Sequence, residues 1–216
     1  GRLCKLRKLE KRIVKDRDRT TAEKKNKGFT LVELIVVISI FAILLGILVP
    51  SVNSILRFRV QRAADSICTA LDKTRTEAMN RLVGEMKLEY TDQGYFISYY
   101  VDRGKGGGQS DVTGADREKI APAGTRISYT DSTGAVYNLW EGSVHSLILT
   151  YDRADGSFLP IQTETFSEKD ILGLLEQGKD IPLTRTGAYC DSITVKGGGK
   201  TRVITLHKDT GKYDKK

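Results

Sequence analysis

The sequence predicts an α+β protein: a long N-terminal helix, apolar at first and amphipathic afterwards, packed on a mainly antiparallel β-sheet head. Three observations predict it. Residues 29–49 form an apolar run of 21 residues whose only charge is Glu33. From Ser51 to about Val83 apolar side chains recur three and four apart, the period of one helix face. Past Gly84 the pattern changes to short β-rich runs bounded by turn residues. The expected divisions are a leader 1–28, an apolar helix 29–50, an amphipathic helix 51–84 and a head 85–216.

The apolar run makes roughly 31 Å of helix at about 1.5 Å per residue, the thickness of a bilayer core. Thr30 and Ser39 are its mild polar additions. Residues 1–28 carry 12 Lys or Arg against 4 Asp or Glu, whereas residues 29–216 hold 23 of each sign. The whole excess of +8 therefore sits beside the span. That bias keeps the leader in the cytoplasm and sends the head across, giving a single-pass cytoplasmic (inner) membrane protein held in membrane lipid. A head without clustered cations argues against nucleic acid as the main partner. A cleavable secretory signal would end in a shorter apolar region with a small-x-small site, which Val49-Pro50-Ser51-Val52 does not supply. Gly1 in place of Met is expected if the numbering starts inside a longer product or after an alternative start.

Glu33 needs a reason, because an unpaired carboxylate deep in a bilayer costs about 2.5–3.5 kcal/mol on insertion scales. The stretch Lys27-Gly28-Phe29-Thr30-Leu31-Val32-Glu33-Leu34-Ile35, following a basic leader, resembles the N-terminal signal of type IV prepilins and pseudopilins. The resemblance implies that a prepilin peptidase cuts after Gly28, that the new N-terminal Phe29 is methylated, and that Glu33 sits at the family's fifth mature position. Pro50 also falls where the family often has a proline. Partners implied are other pilin-like subunits, the prepilin peptidase and methyltransferase, and an inner-membrane assembly platform with a cytoplasmic ATPase. On this reading Glu33 of one subunit meets the Phe29 amine of its neighbour and sets the filament's register, since wrong registers leave both charges unpaired. Small residues Ala42 and Gly46 allow neighbouring helices to approach closely.

Pro50 lacks a backbone donor and is expected to kink the helix or loosen one turn. Beyond it the core stripe is Val60, Ala64, Ile67, Leu71, Thr74, Ala78 and Leu82, with Arg57, Arg59, Arg62, Asp65, Asp72, Lys73, Arg75 and Glu77 around the remaining circumference. Gly84 is expected to end it. Four hairpins follow: 86–91 with 95–101, 126–130 with 135–140, 146–152 with 157–161, and 192–196 with 202–207. The glycine-rich stretch from Arg103 reads as a surface loop, and residues 167–177 as a short helix capped by Ser167. Arg75-x-Glu77-Ala78, the segment from Leu147 to Gly156, and the ending from Ile204 to Lys212 resemble the GspH/FimT type of minor pseudopilin. The leader is long for a secretion pseudopilin.

Catalytic chemistry is not evident. His145 and His207 have no Cys or carboxylate at metal-ligand spacing, so no metal or cofactor is expected. Asp152-x-x-Asp155-Gly156 lacks the repeated acids of a calcium loop and reads as a turn. Gly197-Gly198-Gly199-Lys200-Thr201 lacks the glycine spacing and helix of a phosphate loop and reads as a hairpin connection. Cys68 and Cys190 both lie beyond the span, where a disulfide could persist, with two free buried thiols as the alternative; Cys4 lies in the leader.

Two functions remain open to the sequence. The first is a structural subunit, more suited by head size to a minor role, in a pilus-like or secretion-type filament. The second is an adhesive or DNA-binding tip subunit, in which Tyr95, Tyr99, Tyr100 and Trp140 would form a contact surface.

Overall fold

A computed structural model describes residues 28–80, 83–102, 117–165 and 183–216. The leader, Cys4, Leu82, the loop after Arg103 and the expected helix at 167–177 lie outside the described residues. The chain divides into two units, Gly1–Ile47 and Leu48–Lys216.

One helix, α1 (Leu31–Asn80), carries both sequence patterns. Its helical assignment passes without interruption through position 50. In the first unit every residue from Leu31 to Ile47 is exposed. In the second unit Val60, Ala64, Ile67, Leu71, Thr74 and Ala78 are buried, as the spacing predicts, and Ala63, Cys68 and Ala70 widen the stripe. A wide apolar face is what a helix needs to lie on a sheet instead of along a narrow coiled-coil seam.

Nine strands follow among the described residues: β1 (Val83–Thr91), β2 (Gly94–Asp102), β3 (Glu118–Ala121), β4 (Arg126–Asp131), β5 (Val136–Asn138), β6 (Ser146–Thr150), β7 (Cys190–Gly197), β8 (Lys200–His207) and β9 (Lys212–Lys215). They form two antiparallel sheets, ordered β3-β2-β1-β6 and β5-β4-β7-β8-β9. Strands β4 and β7 show period-two burial, with Ile127, Tyr129, Ile193 and Val195 inward. These join Met86, Leu88, Tyr95, Ile97, Ile204 and the helix stripe in one core.

Three hairpins form as the turn chemistry predicts, closing at Thr91↔Gly94, Thr130↔Val136 and Gly197↔Lys200. The third expected hairpin differs. Residues 157–161 make only an isolated bridge, Tyr151↔Phe158, and loop hydrogen bonds to β6, such as Leu159 N to Thr150 O at 3.1 Å. Past the turn the arm's amides bond elsewhere, Phe158 N to Lys208 O at 2.8 Å and Ile161 N to Ala188 O at 2.9 Å, so a full ladder with β6 does not develop.

Gly84 does not end the helix. α1 stops at Asn80, and Gly84 is a buried residue of β1 paired with Val101. A Cβ there would lie 2.5 Å from the Ala78 amide nitrogen. The glycine is needed because the strand returns directly against the last turn of the helix. Strands β3 and β9, four residues each, are too short to show a pattern in the sequence.

Candidate functional site

Thr30 precedes the first helical residue, and its carbonyl accepts the first helical hydrogen bond from Leu34 N at 3.1 Å. This makes Thr30 the N-cap. Its hydroxyl accepts from Glu33 N at 3.2 Å, while Glu33 Oε2 accepts from Thr30 N at 2.9 Å and from the Thr30 hydroxyl at 3.1 Å. The pair is a reciprocal capping box, satisfying two amide donors that a helix start otherwise leaves unpaired. The negative carboxylate also sits in the first turn, at the positive end of the helix dipole.

Glu33 is therefore partnered within its own chain. Thr30-x-x-Glu33 is legible in the sequence as a capping signature. Phe29, 86% exposed, lies one residue before the cap, next to the expected cut after Gly28. The arrangement leaves the Gly28-Phe29 junction outside the helix and places the carboxylate in the helix's first turn.

Along the apolar face, Val37 is the most covered large residue at 43% exposure and Leu31 among the least at 75%. Ala42 and Gly46 are exposed one helical turn apart, and nothing approaches within 4 Å of a Cβ placed at Gly46. The helix is long and apolar enough to cross a membrane, with mean hydropathy 3.0 in its most apolar window. Pro50 lies inside α1 by position.

The other candidates separate from this site. Cys68 and Cys190 are free, buried thiols, in place of the disulfide that was one of two expectations. They serve different neighbourhoods: Cys68 faces Tyr213 and Lys215, whereas Cys190 packs beside Asp131 and donates weakly to Ser192 O at 3.7 Å. Burial raises the pKa of both, which disfavours the reactive thiolate.

The four aromatics do not form a common exposed surface. Tyr95 is fully buried, with its hydroxyl accepting from Ile127 N at 3.3 Å, while Tyr99, Tyr100 and Trp140 are half-buried. Asp152 accepts from Ala154 N and pairs with Arg185 at 2.8 Å, and Asp155 accepts from Ser157 N at 2.9 Å. These bonds hold both carboxylates in the turn; the Ala154 amide foremost at Asp152, and the Ser157 hydroxyl followed by its amide at Asp155, lower their pKa values. His145 lies 2.9 Å from Leu139 O, and His207 pairs with Asp214 at 2.8 Å.

A second constellation has no counterpart in the single-residue reading. Arg75 donates from Nε to Gly156 O and from Nη2 to Thr210 O, each at 3.0 Å. A Cβ at Gly211 would overlap the Gly156 carbonyl oxygen. One guanidinium thus clasps the turn after β6 to the turn between β8 and β9, fastening one sheet to the other at the late helix. Arg75, Gly156 and Thr210 come from the three segments singled out separately in the sequence.

A family model described as the prokaryotic N-terminal methylation motif matches residues 24–49. No curated protein and no solved structure matches the chain. The matched segment contains the Gly28-Phe29 junction, the capping box and the exposed apolar helix, and a mostly antiparallel β region follows it. This motif, followed by this architecture, supports a type IV pilin-like precursor.

Proposed function

We propose that the chain is a structural, minor subunit of a type IV pilus-like or secretion-type filament. It is stored in the membrane as a prepilin, cut after Gly28, methylated at Phe29 and assembled through α1. The observation that carries this reading is the uncovered apolar helix headed by a satisfied carboxylate. Lipid covers such a face in the stored monomer, and neighbouring helices cover it in a filament, with Ala42 and Gly46 permitting close approach.

The capping box gives Glu33 two successive partners. In the monomer Thr30 holds the carboxylate at the helix start. After cleavage, a neighbour's Phe29 amine offers an opposite charge that Thr30 cannot, and only the correct stagger brings it within reach. The clasp formed by Arg75 agrees with the GspH/FimT resemblance, because it joins the segments on which that resemblance rests.

Co-expression with a prepilin peptidase tests the reading. The expected product begins at Phe29 by mass, Gly28→Ala blocks its formation, and Glu33→Ala is cut yet fails to enter filaments. A Glu33→Ala chain that assembles as well as the parent defeats the register role, and a parent chain left uncut defeats the prepilin reading.

A further inference from the structure

We propose that the end of the head joined to the apolar helix is a cationic collar that binds the phosphate headgroups of anionic lipid on the outer face of the membrane. The inference rests on the membrane-stored state proposed above. The tip of the β7–β8 hairpin packs on the helix close to where the apolar run ends: a Cβ at Gly198 would lie 2.5 Å from the Leu56 Cβ and 3.3 Å from both Asn53 O and Arg57 N. Arg57 Nε also donates to Gly198 O at 3.3 Å. Counting from Val49, the tip's seat at Asn53–Arg57 lies roughly 6–12 Å along the helix axis at about 1.5 Å per residue.

The headgroup layer extends about 5–8 Å beyond the hydrocarbon on each side of a bilayer. The hairpin tip and Arg57 therefore lie few enough residues past the apolar run to come within reach of the phosphates. Lys196 and Lys200 flank the tip, Arg59 is exposed two residues past Arg57, Arg62 follows on the next helical turn, and Arg202 of β8 reaches that turn by donating from Nε to Gln61 Oε1 at 2.6 Å.

The charge in this zone has one sign. No Asp or Glu occurs between Glu33 and Asp65, or between Asp191 and Asp209. None of the six cations makes an ion pair among the described residues, whereas Asp65, the next acid along the helix after Glu33, is taken by Lys215. Arg62 shares a shallow groove with Asp65 and Glu118, so Arg57, Arg59, Lys196 and Lys200 are the uncompensated part of the collar. Membrane orientation is not upset, because 12 cations in the leader outnumber Arg57, Arg59 and Arg62. Balanced charge over the whole head hides this pole from any count by composition.

Such a collar matches an anionic lipid surface, which attracts each nearby Lys or Arg within about a Debye length. It would hold the head against the bilayer in the stored subunit and let go when assembly lifts the helix out of lipid.

Amide hydrogen exchange on the full chain in lipid nanodiscs tests the proposal. Adding phosphatidylglycerol to phosphatidylcholine should slow exchange at residues 197–202 by about fivefold or more, the factor expected for one cation near an anionic surface. High salt should remove the effect, and so should the combined variant Arg57→Gln, Arg59→Gln, Lys196→Gln, Lys200→Gln. Equal exchange in the two lipids overturns the collar while leaving the membrane reading intact. Protection by a duplex oligonucleotide, without protection by anionic lipid, assigns the surface to nucleic acid and overturns it too. A chain that does not enter nanodiscs overturns both readings.

Discussion

Replacing Gly211 by alanine should destabilise the head far more than replacing another glycine of similar backbone conformation. Gly211 has φ +65° and Gly134 has φ +85°. A residue with a Cβ costs roughly 1–2 kcal/mol in this left-handed region. At Gly134 the cost stops there, since nothing lies within 4 Å of the added atom. At Gly211 the Cβ would overlap the Gly156 carbonyl oxygen, a backbone atom that can move only with its turn. Moving that turn breaks the Arg75 bond to Gly156 O, and a hydrogen bond from a charged donor contributes about 1.5–3 kcal/mol. Gly211→Ala should therefore cost roughly 3–5 kcal/mol against about 1–2 kcal/mol for Gly134→Ala. Urea unfolding of the micelle-held full chain, followed by the fluorescence of its single tryptophan Trp140, measures both. In an Arg75→Ala background the penalty at Gly211 should shrink, because both changes disturb one contact. Equal midpoint shifts for the two glycine variants, or strict additivity with Arg75→Ala, would refute the clasp.

Thr30→Val should weaken the start of α1 by about 1 kcal/mol through loss of the cap, seen as faster amide exchange at Val32, Glu33 and Leu34. Asp131 accepts from Thr133 N at 2.9 Å, the Thr133 hydroxyl at 2.6 Å, Ala135 N at 3.1 Å and the Tyr137 hydroxyl at 3.3 Å, so Asp131→Ala should lower stability by about 1–3 kcal/mol in the same urea assay. These bonds, that of the Thr133 hydroxyl foremost, lower the Asp131 pKa; its stabilisation is present above the unfolded carboxylate value of about 3.9 and lost as pH falls through the folded one. Burial pushes Tyr95 and Tyr129 up to about 12, so their contribution is complete below about 10 and lost as pH rises from there to about 12; spectrophotometric titration should show both ionising late or with unfolding. Cys68 and Cys190 should take up iodoacetamide only after denaturation, and two fewer adducts in the denatured, unreduced chain than in the reduced one would reveal a bridge.

Everything that depends on short range could be read along the chain. The apolar run, the 3.6-residue stripe from Val60 to Ala78 and the turns at Asp92-Gln93 and Gly198-Gly199 each arise from neighbours within a few residues. Periodicity and turn chemistry report directly on such neighbours. The Thr30–Glu33 cap belongs to this class too, since its partners are three residues apart. Misreadings arose where a residue's partner is distant. Gly84 looks like a helix stop, yet its small size answers the backbone of Ala78. The arm at 157–161 alternates like a strand, but Phe158 N bonds to Lys208 O and Ile161 N to Ala188 O, which leaves one bridge to the strand before it.

The sequence by itself determined the apolar span, the Gly28-Phe29 motif, the α+β order and the face of the helix that meets the head. Each is a matter of residue type and spacing over one or two turns. Only the tertiary structure decided that Arg75 ties Gly156 to Thr210, that Cys68 and Cys190 stay apart as thiols, and that Lys196 and Lys200 come to stand beside Arg57. These meetings bridge as many as 141 positions of chain, as between Arg57 and Gly198. No local pattern encodes such a distance; it is set by the packing of two sheets on one helix.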